Sequence, residues 1–127
     1  MLSFETMKTK VDFYWLPHCT TCQKAKAYLD NKGVELAHIR DIKSAPLTRA
    51  EVAELARMVG GPENLFSKRA IKYRELALAE RDLSNEELIR LMAEEYTFIK
   101  RPVIVLGAKA IAGFNAKQVD SFISAGK

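Results

Sequence analysis

Cys19 and Cys22 are the two cysteines of the chain, and two residues separate them. A thiolate at the first position can attack a disulfide or another electrophile. A thiol three residues on can then displace the product by closing an intramolecular disulfide. The same spacing also serves zinc. A closed structural zinc site needs four ligands, and the chain adds only His18, next to Cys19, and His38. Four ligands so distributed make a strained closed site, so the spacing favours thiol redox chemistry and no metal is expected.

The flanking residues indicate what positions the pair. Lys10 to Trp15 read as a strand, with Val11, Phe13 and Trp15 on one face by alternation. Leu16-Pro17-His18 is a loop. Thr20 to Asn31 read as a helix, with Ala25, Tyr28 and Leu29 at helical spacing and Gly33 as a left-handed cap. Cys19 therefore falls at a helix start. Unpaired N–H groups and partial positive charge stabilise a thiolate there. Cys19 is expected to be the exposed nucleophile, and Cys22, one turn in, the more buried resolving thiol. Lys24 and Lys26 are expected to face solvent.

The remaining chain predicts one α/β sheet. Met1 to Thr9 are a lead-in. Val34 to Ile39 form a second strand, parallel to the first through a right-handed crossover. Thr48 and Glu51 make a capping box for a helix with Val52, Leu55, Ala56 and Val59 inside, which Gly60-Gly61-Pro62 stops. Residues 64–70 and 72–78 read as short helical pieces, with Leu65, Phe66, Ile71, Tyr73 and Leu76 available for burial. Ser84 and Glu87 open a further helix to about Glu95, with Leu88, Leu91 and Met92 inside. Val103 to Leu106 and Ala110 to Ala112 form a hairpin, and Asn115 caps a last helix, Ala116 to Ile123. The order is βαβ, helices, ββα. It is one domain over 1–127, with halves at about 10–44 and 98–127 and a helical segment at about 45–97 inserted between them. On composition, Pro102 is a strand-start proline and Arg69 lies on a solvated helix face. An arginine beside Cys19 would bind an oxyanion bidentately and stabilise the thiolate.

Composition narrows the function classes. With 127 residues, 48% hydrophobic and 28% charged, the chain suits one soluble domain with its own core. It holds no apolar stretch of membrane-spanning length, and Met1 to Lys10 lack the core of a signal peptide. No membrane association and a cytoplasmic location are expected. The net charge of +4 is dispersed along the chain and no nucleic-acid motif accompanies it, so direct nucleic-acid binding is not expected. An acidic protein surface stays open as a partner.

Separated landmarks add a resemblance. Tyr14-x-x-Pro17-x-Cys19-x-x-Cys22-x-Lys24-Ala25-x-x-x-Leu29, Gly33-Val34, Arg69, Arg101-Pro102-Val103-Ile104 and Gly113-Phe114-Asn115 together resemble the arsenate reductase–Spx family over about residues 10 to 124. The resemblance implies a thioredoxin-like fold with an inserted helical segment, Pro102 as a cis-proline beside the redox site, and Arg101 close to Cys19. Family arsenate reductases use one cysteine, matched by Cys19, a set of oxyanion-binding arginines, and glutathione with glutaredoxin. Here Ser67 and Asn115 stand where two of three such arginines would be, Arg101 is retained, and Cys22 is added. The Spx branch matches Cys19 and Cys22, Ser67-Lys68-Arg69, Arg101-Pro102 and, at Gly61, a glycine that contacts the C-terminal domain of the RNA polymerase α subunit. The implied roles are a reductase with no bound cofactor, using glutathione as co-substrate and glutaredoxin or thioredoxin as electron donor, or a redox-sensing regulator that binds RNA polymerase. In either role Arg69 and Arg101 stabilise the thiolate or a bound anion.

Overall fold

The computed structural model describes residues 9–125, so the lead-in expected at the N-terminus lies, but for Thr9, outside the described residues. Chain contacts divide the protein into two units. One joins the chain up to Asp41 with the chain from Arg101 onward, and the other comprises Ile42–Lys100.

The first unit is a four-stranded sheet with two helices. Strand β1 (Lys10–Trp15) leads to helix α1 (Thr20–Asn31) and strand β2 (Glu35–Asp41). The later segment supplies β3 (Val103–Leu106), β4 (Lys109–Ala112) and a helix over Ala116–Ala125. The strand order is β2-β1-β3-β4, with β1 parallel to β2 and both other pairings antiparallel. The alternation expected in β1 holds. Val11 and Phe13 are buried and join Ala25 and Leu29 of α1, Val34, Ile104, and Val119 and Ile123 of the last helix in one core cluster. Burying such side chains is the dominant stabilising term for a sheet with helices on its face. Gly33 sits at φ 73°, the left-handed conformation expected after α1. Asn115 caps the last helix, its Oδ1 accepting from the Gln118 N–H at 3.0 Å.

The second unit is helical. It contains α2 (Arg49–Met58), α3 (Pro62–Leu65), α4 (Ile71–Glu75) and α5 (Asn85–Glu94); the helix that ends the first unit is α6. Both capping boxes form. The Thr48 hydroxyl accepts from the Glu51 N–H at 3.1 Å while the Glu51 carboxylate accepts from the Thr48 N–H at 2.9 Å. Ser84 and Glu87 repeat the arrangement at α5. Buried Val52, Leu55 and Ala56 of α2 and Leu88, Leu91 and Met92 of α5 supply core.

Two expectations in this unit are corrected. Residues 64–70 are not a helical piece. Helix α3 ends at Leu65, and Phe66 is extended and bridges Ile99. The Ser67 N–H donates to the Phe98 carbonyl at 2.6 Å, and the Lys100 N–H to the Leu65 carbonyl at 2.8 Å. Pairing with 98–100 satisfies the backbone groups that a helix would have used, so tertiary pairing overrides local propensity. Arg69 accordingly lies in a turn, its N–H donating to Ser67 Oγ at 3.3 Å. The piece expected over 72–78 is shorter, because α4 ends at Glu75 and Ala77 turns left-handed at φ 52°. Ile71 and Leu76, expected inside, are 66% and 51% exposed. A five-residue helix cannot hold both apolar positions on one buried stripe.

Candidate active site

The end of β1 and the start of α1 make the site. The Cys19 N–H donates to the Leu16 carbonyl at 3.0 Å, closing the Leu16–Cys19 turn. Cys19 is the N-cap of α1, at φ −80° and ψ 118°. Its Sγ accepts from the Cys22 N–H at 3.4 Å, taking the place a serine or aspartate oxygen usually fills. Gln23 braces the loop, its Nε2 donating to the Pro17 carbonyl at 2.8 Å. Nothing in the sequence marked Gln23, since its role depends on how the loop folds back on the first turn of α1.

The other wall comes from the start of β3. Val103 pairs with Tyr14, so Arg101 and Pro102 lie beside the end of β1. The Arg101–Pro102 peptide bond is cis, and the Pro102 carbonyl accepts from the Gly113 N–H at 2.8 Å. The Arg101 guanidinium acts on Cys19 through its charge and a hydrogen bond.

These surroundings push the two thiols apart. Partial burial opposes ionisation of Cys19. Hydrogen bonds from the Cys22 side chain and backbone and the positive charge of Arg101 outweigh it, so Cys19 ionises below the ordinary thiol range. Cys22 is buried, and burial above all pushes its thiol up to about 12, despite a backbone hydrogen bond from Leu16. One thiol is partly accessible and inclined to the thiolate, and the other is a protonated reserve three residues away.

Thus Cys19, Cys22, Arg101 and Pro102 come together in the first unit. Arg69 and Gly61 belong to the second. Gly61 has φ 141°, and an added Cβ would stand 2.8 Å from Glu63 Oε1, so glycine has a conformational reason to be there. Ser67 Oγ and Asn115 Oδ1, which the resemblance matched to oxyanion-binding arginines, both serve local backbone hydrogen bonds. His38 lies on β2 with its Nδ1 2.9 Å from Asp12 Oδ1 on β1. Among the described residues, no three of His, Cys, Asp and Glu converge as a metal site.

A mixed sheet of this order, with a cysteine pair opening the first helix opposite a cis-proline, defines a thioredoxin-like thiol redox fold. Within it, the chain belongs to the ArsC family, whose profile matches residues 14–122. The chain is 36% identical over 111 residues to YusI, an uncharacterized protein of Bacillus subtilis (strain 168), covering 85% of this chain and 93% of YusI. It is 30% identical over 114 residues to the global transcriptional regulator Spx of Streptococcus mutans, covering 89% of this chain and 82% of that regulator. Among solved structures, an arsenate reductase from Vibrio cholerae superposes with a TM-score of 0.80 at 25% identity, over 90% of this chain and 98% of that one. Among the described residues, no helix is long and apolar enough to cross a membrane.

Proposed function

We propose that the protein carries out thiol–disulfide exchange through Cys19 and Cys22. The observation that carries this reading is the asymmetry of the pair. Cys19 is an N-cap sulfur beside Arg101 that ionises readily, and Cys22 is a buried thiol that does not. The Cys19 thiolate attacks one sulfur of a substrate disulfide. A mixed disulfide forms, and the other substrate sulfur leaves as a thiolate that takes up a proton. Cys22 then loses its proton, attacks Cys19 Sγ and expels the second substrate thiol, leaving Cys19–Cys22 oxidised by two electrons. Glutathione with glutaredoxin, or thioredoxin, returns the two electrons. Arg101 stabilises the anionic sulfur or a bound anion. The reaction belongs in the cytoplasm, where such donors keep thiols reduced.

Arsenate is the less favoured substrate. A tetrahedral oxyanion must be held for attack, and Ser67 and Asn115 replace two of the arginines that would hold it. A second reading, a redox-sensing regulator that binds the RNA polymerase α C-terminal domain, draws support from the likeness to proteins described as Spx. Its test is direct capture of that domain in both redox states. Gly61→Arg is a poor probe, since any side chain at Gly61 strains the turn.

Trapping tests the exchange. A Cys22→Ser variant incubated with a glutathione-mixed or aromatic disulfide accumulates the Cys19 mixed disulfide, read by intact mass. Cys19→Ser keeps an oxygen cap on α1 and forms no adduct. An adduct on Cys22 in place of Cys19, or none in either variant, refutes the assignment.

A further inference from the structure

We propose that Gln23 is a positioning residue for the resolving step, holding the Leu16–Pro17 backbone where it serves the Cys22 sulfur. The inference rests on the thiol–disulfide exchange proposed above. Gln23 lies one turn into α1, and its N–H donates to the Cys19 carbonyl at 2.9 Å. Helical side chains tilt toward the helix N-terminus, so its amide reaches back over the first turn. There Nε2 donates to the Pro17 carbonyl at 2.8 Å. Pro17 has no N–H, so its carbonyl is the backbone group through which it can be tied. The Leu16 carbonyl accepts from the Cys19 N–H at 3.0 Å. Successive carbonyls of the loop are thereby fixed to the start of α1, one by a backbone donor and one by the Gln23 side chain.

This tie holds the Leu16 N–H in place. Leu16 hydrogen-bonds the Cys22 sulfur through its backbone and favours the anion there, against the burial that disfavours it. Cys22 is fully buried, so a fixed backbone donor does for its thiolate what water cannot. In the resolving step Cys22 passes its proton to water and its sulfur bonds to Cys19 Sγ. The bond from Cys19 to the substrate sulfur breaks, and its electron pair leaves on that sulfur. Negative charge therefore sits on Cys22 before the new bond forms. The first step draws on other groups, since the Cys19 sulfur is stabilised by the Cys22 N–H within α1 and by Arg101. Loosening the loop thus acts on the second step more than on the first. A merely structural brace would slow both alike.

The test is an acid-quenched reaction of the full chain with oxidised glutathione, read by intact mass. Gln23→Met keeps the length of the side chain and removes its donor. In a Cys22→Ser background, which cannot resolve, adduct formation on Cys19 reports the first step. With Cys22 present, decay of the adduct to the intramolecular disulfide reports the second. Gln23→Met is expected to slow decay about three- to tenfold, the effect of one hydrogen bond, and to change formation by less than about twofold. Decay at the unaltered rate, or formation and decay slowed alike, overturns the proposal. If the chain that retains Gln23 and Cys22 forms neither adduct nor intramolecular disulfide, the exchange reading itself fails and this inference with it.

Discussion

At the residue scale, Cys19 combines two roles in one atom: its sulfur caps α1 and, in the proposed exchange, is the reacting group. Thiolate character at that sulfur depends on the Cys22 N–H and on Arg101. Removing Arg101 takes away a stabiliser of the anion, so the pKa of Cys19 must rise. An Arg101→Met variant is therefore expected to shift the pH midpoint of iodoacetamide alkylation at Cys19 upward, while Cys22 stays slow in both proteins. The sign follows for stability as well. A depressed thiol pKa favours the folded state above the ordinary thiol range, and that contribution is lost as the pH falls through the folded-state value. The cysteine spacing, the N-cap position and the buried depth of Cys22 were legible in the sequence because helix geometry fixes them locally. Arg101 entered through the family resemblance, since nothing local ties residue 101 to residue 19. Gln23 was not legible at all.

At the element scale, local signals and long-range pairing divide the successes from the corrections. Strand β1, helix α1, both capping boxes and the β3–β4 hairpin follow from alternation, caps and turn residues, and they form where expected. The segment from 66 to 80 does not. At its start the Ser67 N–H donates to Phe98 and the preceding Leu65 carbonyl accepts from Lys100, partners more than thirty residues away that no window of local sequence contains. The caps and the core give separate stability predictions. Thr48→Ala removes the hydroxyl from one capping box and is expected to cost about 1 kcal/mol. Leu29→Ala empties a fully buried position of the first unit and is expected to cost about 2–5 kcal/mol. Urea denaturation of both variants checks the ranking, and a larger loss for Thr48→Ala contradicts it.

At the whole-molecule scale, the first unit is assembled from both parts of the chain. The thiols come from residues 19–22 and the arginine and cis-proline from residues 101–102, with the helical unit between them in sequence. The chain is similar both to a protein described as an arsenate reductase and to proteins described as transcriptional regulators, and a fold does not by itself fix a function, so the site decides it. Here the site holds a second cysteine, Cys22, three residues after Cys19. In the exchange proposed above, Cys19 and Cys22 form one reversible two-electron couple. Equilibration of the full chain in glutathione buffers, followed by alkylation and intact-mass measurement, tests it most directly. A single transition between dithiol and intramolecular disulfide is expected, within the cytosolic range of about −220 to −320 mV. Absence of the intramolecular disulfide across the whole range, or oxidation only to chains linked through Cys19 to one another, contradicts it.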